Sequence, residues 1–248
     1  MLRSADLDPP RLLPTVALAS PGVLPLRDNV PTRRFPVVTV LLIATNVVVW
    51  VGYQIPNLDR SVTELGYHPC EVEGSCRTIG QGWPLTVLTS MFLHGSWFHL
   101  FGNMLFLWIF GNNVEDSMGR LRYLVFYVFA GAAATATQTF VTLGWGSDVE
   151  AQIPNVGASG AIAGVLGAYA VLLPRARVLT LFVVFLTEVP AMLLLGLWFL
   201  FQLWSGSAAF SHPQEGGGVA FFAHVGGFVF GMLVVHFFAI RRPLQPSY

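Results

Sequence analysis

The sequence contains no lysine and little charge of any kind. Its 13 arginines and 13 acids make up 10% of 248 residues, where a soluble domain carries about 25%. Net charge is zero, so nothing suggests a nucleic-acid footprint. Cysteine is equally scarce: Cys70 and Cys76 share one polar stretch. Without further Cys/His ligand spacing they make no zinc site, and are either a short loop-closing disulfide or two free thiols. No His-Glu-x-x-His run occurs, and the long apolar runs contain no aspartate, which disfavours metal-dependent and aspartate-based hydrolysis. What is abundant is apolar: 54% of residues, with a mean hydropathy of +0.63. Disorder is excluded, and the bilayer rather than water is the expected solvent.

Runs of about 20 apolar residues are the membrane-crossing signal. Six candidates occur: Val37 to Ile55, Met91 to Asn113, Tyr123 to Leu143, Ser159 to Leu173, Val178 to Trp204 and Val219 to Ile240. Before them, residues 1–36 carry seven prolines and read as a flexible tail; its apolar piece Val16 to Ala19 is too short for a signal peptide. Residues 37–240 form the membrane domain, 56–90 its long first loop, and 241–248 a short tail. Eleven of the 13 arginines (Arg3, Arg11, Arg27, Arg33, Arg34, Arg120, Arg122, Arg175, Arg177, Arg241 and Arg242) fall on one face of this six-span topology. By the positive-inside rule that face is cytoplasmic. The expected fold is an all-α polytopic bundle of six helices with both termini cytoplasmic, and the first loop, with its cysteines, lies in an extracytoplasmic space that permits a disulfide.

Depth can be measured from the arginines. Ser159 lies 16 residues before Arg175 and His224 lies 17 before Arg241, about 24 and 25 Å along a helix at roughly 1.5 Å per residue. His99 lies 17 residues before Asp116, with Asn103 one turn deeper on the same face. The fourth run is short, about 22 Å against a hydrocarbon core near 30 Å, and irregular residues Ile153 to Ala158 precede it. Irregular backbone at that depth requires burial in protein or a water-filled cavity. Small residues at Ser159, Gly160, Ala163, Gly164, Gly167 and Ala168, and at Ala223, Gly227 and Gly231, allow the fourth and sixth helices to approach closely. This pattern fits a hydrogen bond from Ser159 to His224.

A serine hydroxyl needs a base to become a nucleophile, and histidine supplies one near neutral pH. No aspartate is available to orient that histidine, and the one acid deep in a run is Glu188, next to a helix break at Pro190. The reading is a dyad, with Ser159 as nucleophile and His224 as base and then acid. His99, Asn103 and the Ser159 N–H are the available oxyanion donors. His94 is read as structural, His68 and His212 as loop residues, His236 as interfacial, and Glu188 as a partner of freed backbone groups or cavity water.

Gly157-Ala158-Ser159-Gly160, the His94-x4-His99-x3-Asn103 run and Ala223-His224-x2-Gly227-x3-Gly231 together resemble the three signatures of the rhomboid intramembrane serine proteases. Their order matches too, as does Gly111-Asn112-Asn113-Val114-Glu115 with Gly119 beyond it. The similarity covers about residues 82–240. It implies cleavage of transmembrane protein substrates in the lipid bilayer by Ser159 and His224, oxyanion assistance from His99 and Asn103, and structural roles near the site for His94, Gly157, Gly160, Gly227 and Gly231. No metal or cofactor and no nucleic-acid partner are implied, and the expected location is a bacterial plasma membrane. The alternative is a catalytically idle relative that binds transmembrane clients. Two positions depart from the pattern. Trp83-Pro84 stands where a Trp-Arg pair is common, and Ala163 stands where some members stack a tyrosine on the catalytic histidine.

Overall fold

The computed structural model describes residues 23–78, 80–211 and 220–246; the expectations for the tail through Arg11 and Pro21, for Val16 to Ala19 and for His212 lie outside these. In chain order the described elements are β1 (Val23–Asp28), α1 (Val37–Val49), α2 (Leu58–Leu65), α3 (Cys70–Glu73), α4 (Trp83–Thr89), α5 (Trp97–Met118), α6 (Arg120–Trp145), α7 (Asp148–Gln152), α8 (Ser159–Leu172), β2 (Arg177–Phe182), β3 (Phe185–Pro190), α9 (Ala191–Ser211) and α10 (Phe221–Phe238). Among the described residues, four stretches are long and apolar enough to cross a bilayer: Val37–Leu65, α6, Ala191–Ala208 and α10. The chain is a multi-pass membrane protein. α8 is apolar but has only 14 residues; α5 has 22, interrupted by Asn103, Asn112, Asn113, Glu115 and Asp116.

α8 stands at the centre, packed on α10, α6 and α5. In lipid, helices gain no hydrophobic drive toward one another, so close backbone approach through small residues must hold them. A side chain at Gly160 or Gly164 would meet the Cβ of Ala134 or Ala130 on α6 at 2.6 and 2.5 Å. Side chains at Gly227 and Gly231 on α10 would overlap the carbonyls of Gly160 and Gly164. These glycines therefore set how near α10 comes to α8.

At one end of the bundle the helix termini are tied by charge. The Glu115 carboxylate accepts from the Val38 and Thr39 N–H groups at 3.0 and 2.8 Å and from the Thr39 hydroxyl at 2.8 Å, satisfying orphan donors at the start of α1. Arg33 reaches Asp116 at 3.0 Å. The Arg241 N–H donates to Ser117 O at 3.0 Å, bringing the end of α10 to the α5–α6 junction.

Four expectations need correction here. The all-α reading overlooks a three-stranded antiparallel sheet in the order β1-β2-β3, and residues 23–36 are not a structureless tail, because β1 pairs with β2. The expected fifth run from Val178 to Trp204 begins as the β2–β3 hairpin, and its helix starts only at Ala191. Hydropathy cannot separate a buried strand from a helix segment in a continuous apolar run, but β2 alternates, with Val178 and Thr180 buried between more exposed neighbours. Open strand edges are not tolerated in hydrocarbon, so this sheet lies outside it. Glu188 is accordingly not a span residue. It sits exposed on β3 opposite Leu179 and faces Arg177 at 3.7 Å.

Candidate active site

The segment before α8 is irregular and is held in place by the first loop. Tyr67 and Asn155 exchange backbone hydrogen bonds of 3.0 and 2.8 Å, and the Gly157 N–H donates to Ser90 O at 2.9 Å. Cys70 and Cys76 are disulfide-bonded, closing a small ring beside α3, which settles the two alternatives left by the sequence. Burial pushes the neighbouring His68 imidazole below its ordinary value, against the opposing pull of Glu71. Gly157 has φ +133°, a backbone region that favours glycine. The chain leaves this turn directly into α8, so Ser159 is its first residue and its N–H belongs to the helix's orphan donors.

The Ser159 Oγ and His224 Nε2 are 2.7 Å apart. α8 supplies the serine and α10 the histidine, on the glycine-lined face where those helices approach most closely. Ser159 remains partly exposed, whereas His224 is buried at 4%.

α5 brings in the next pair. Ser96 caps it, accepting from the His99 N–H at 3.1 Å. The Nδ1 of His99 accepts from the Gly95 N–H at 3.4 Å, so in the neutral ring the hydrogen sits on Nε2. That nitrogen faces the gap beside the serine: a Cβ placed on Gly157 would be 2.8 Å from His99 Nε2 and 3.4 Å from Ser159 Oγ. Asn103, one turn along α5, is buried, and neither its Oδ1 nor its Nδ2 has a partner among the described residues. The structure thus gathers Ser159, His224, His99 and Gly157 at one place, with Asn103 beneath His99.

His94 is fully buried and packs edge-on against His99, ring centroids 5.1 Å apart. Its backbone is clamped by Gln54, which accepts from the His94 N–H at 2.8 Å and donates to its carbonyl at 3.0 Å. The imidazole nitrogens have no partner among the described residues, so the hydrogen bonds that fix His94 are made by its main chain.

The rhomboid-domain family model matches residues 80–241, well over half of the chain. The chain belongs to the rhomboid family. It is 30% identical over 151 residues to Rhomboid protein 1, mitochondrial, of Saccharomyces cerevisiae, a match covering 60% of this chain and 40% of that one. It is 28% identical over 141 residues to the Homo sapiens Presenilin-associated rhomboid-like protein, mitochondrial, covering 57% and 34%. It is 35% identical over 77 residues to Rhomboid-like protein 11, chloroplastic, of Arabidopsis thaliana, covering 31% and 25%. The matches thus take in at most 40% of these relatives' length.

Both departures from the rhomboid pattern have a local structural account. Pro84 falls in the first turn of α4, where its missing N–H costs nothing. Ala163 is fully buried, where a Cβ added to Gly227 would lie 3.4 Å from its own, and the His224 ring is flanked from α9 instead. Trp198 lies 5.8 Å from it, centroid to centroid, and Gln202 Oε1 lies 2.7 Å from its Nδ1. Sequence reasoning passes over both residues. The available signal was Gln202 itself, an amide alone in the run from Leu193 to Trp204, one turn beyond Trp198 on the same face.

Proposed function

We propose that this rhomboid is an intramembrane serine endopeptidase that hydrolyses peptide bonds of transmembrane protein substrates. The observation that carries the reading is the 2.7 Å approach of Ser159 Oγ to His224 Nε2, with a partly exposed serine at the first position of an apolar helix. The Ser159 oxygen attacks the scissile carbonyl carbon while its proton passes to His224 Nε2. The negative charge on the former carbonyl oxygen is met by the Ser159 N–H, His99 Nε2–H and Asn103 Nδ2–H. Imidazolium then protonates the leaving amine, and water, deprotonated by the same nitrogen, hydrolyses the acyl-enzyme. The orphaned Asn103 amide supports this assignment, since an unpaired buried polar group costs about 1–3 kcal/mol unless a ligand completes it.

In this reading α5 and α8 are the second and fourth of six crossings, and the end bearing Arg33, Arg120 and Arg241 faces the cytoplasm, with both termini there and the site near the opposite surface. A bacterial plasma membrane suits this orientation; the mitochondrial and chloroplast names belong to the relatives. Ser159→Ala and His224→Ala are each expected to abolish cleavage of a reconstituted transmembrane substrate while the protein stays folded. Undiminished cleavage by either variant refutes the dyad. A folded wild-type protein that forms no adduct at Ser159 with a serine-directed phosphonate favours client binding without catalysis.

A further inference from the structure

A base that accepts the serine proton at Nε2 must carry its own hydrogen at Nδ1, and a buried Nδ1–H needs an acceptor. In this chain no carboxylate is hydrogen-bonded to His224 among the described residues; the atom at Nδ1 is Gln202 Oε1, at 2.7 Å. Gln202 is itself fully buried, and its Nε2 has no partner among the described residues. A residue placed there only for packing would not leave a buried donor unpaired. Trp198, one turn earlier on the same face of α9, lies against the imidazole ring. The position from which α8 could have braced that ring is occupied by Ala163.

We propose that Gln202 is a positioning residue for His224: its side-chain carbonyl accepts the Nδ1 hydrogen and holds the imidazole in the tautomer whose Nε2 lone pair faces Ser159. This rests on the Ser159–His224 reading above and extends it to a Ser-His-Gln relay in which the third group is neutral. The amide needs no proton transfer of its own. Its carbonyl dipole fixes the ring's rotation and stabilises the imidazolium that forms when the serine is deprotonated.

The test uses the full chain in lipid nanodiscs with 15N-labelled histidine, His224 being assigned by comparison with His224→Asn. In the wild type, His224 is expected as one tautomer, protonated at Nδ1 and bare at Nε2. Gln202→Leu is expected to give a mixture of tautomers, and to lower kcat for a transmembrane substrate roughly 10- to 100-fold at unchanged KM, the size of effect typical when a group orienting a histidine is removed. Gln202→Glu, which keeps a carboxyl oxygen as acceptor at the same place, is expected to restore the single tautomer and part of kcat, at a cost in stability from burying an acid. Should Gln202→Leu fold poorly, Gln202→Met gives the same comparison with a flexible side chain of similar length. A folded Leu or Met variant with the wild-type tautomer, or with wild-type kcat in an active enzyme, overturns the assignment. A wild type that cleaves nothing, yet shows the tautomer dependence on Gln202, overturns the protease reading and leaves the positioning role standing.

Discussion

Gly157→Ala probes the geometry around the serine most directly. The added methyl would stand 2.8 Å from both Cε1 and Nε2 of His99 and 3.4 Å from Ser159 Oγ. Carbon atoms reach ordinary contact near 3.5 Å, so the His99 ring must retreat by about 0.7 Å. Retreat breaks the 3.4 Å bond from the Gly95 N–H and moves Nε2–H off the place where the oxyanion would form. A displacement near 1 Å can cost about 10²-fold in rate, and loss of one oxyanion donor costs about 10²- to 10³-fold. The alanine must also adopt φ +133°, a sparsely populated conformation costing about 1–3 kcal/mol of stability. The expected outcome is a kcat reduced about 10²-fold or more together with a lowered unfolding temperature. The two effects separate in a double-mutant cycle. If the methyl acts through His99, Gly157→Ala adds little to the kcat loss of His99→Ala, while its stability cost persists. Cleavage by Gly157→Ala at the wild-type rate, or full additivity in kcat, would refute the placement of His99 as the donor beside Ser159.

Two further outcomes follow from packing and titration. Gly231→Ala would drive a methyl into the Gly164 carbonyl, a backbone atom that cannot turn aside, so the helices must separate; overpacking of this kind costs about 1–3 kcal/mol, and both thermal stability and phosphonate labelling of Ser159 should fall, with unchanged values for both disproving the contact. Burial raises the Asp28 carboxyl to about 6 from an ordinary 3.8, outweighing its hydrogen bond from Tyr169. Because the folded value is the higher one, docking of β1 is strongest below the ordinary value and weakens as pH rises through about 6. Hydrogen exchange in residues 23–28, corrected for intrinsic rate, should therefore be slower at acidic than at neutral pH in the wild type and lose that dependence in Asp28→Asn; faster exchange at acidic pH would contradict it.

The convergence of Ser159, His224 and His99 was legible because each lies on a helix that runs without interruption to a charged end, so counting residues measures depth. The same ruler failed on the fifth run. Counting upward from Arg175 and Arg177 treats residues 178–190 as helix, yet they form β2, a turn and β3. Thirteen residues of supposed helical rise are spent in a hairpin, so no depth for Gln202 could be obtained. β1 was hidden for another reason. Pro25 argues against a strand, but β1 is an edge strand with its ladder shifted between Pro25 and Arg27, where proline is tolerated. Its partner lies some 150 residues away in sequence, beyond the reach of any local pattern.

An acid is the usual group to orient a catalytic histidine, and the only acid in an apolar run of the sequence, Glu188, belongs to an exposed hairpin beside Arg177. A carboxylate next to a buried imidazole in an apolar bundle would have to be desolvated, at a cost of several kcal/mol. A neutral amide carries no such penalty and still offers a carbonyl oxygen to Nδ1. In a bundle whose charges are confined to its ends and surface loops, the orienting group compatible with the solvent is an uncharged one, and Gln202, lodged among leucines and aromatics on α9, is where the structure has it.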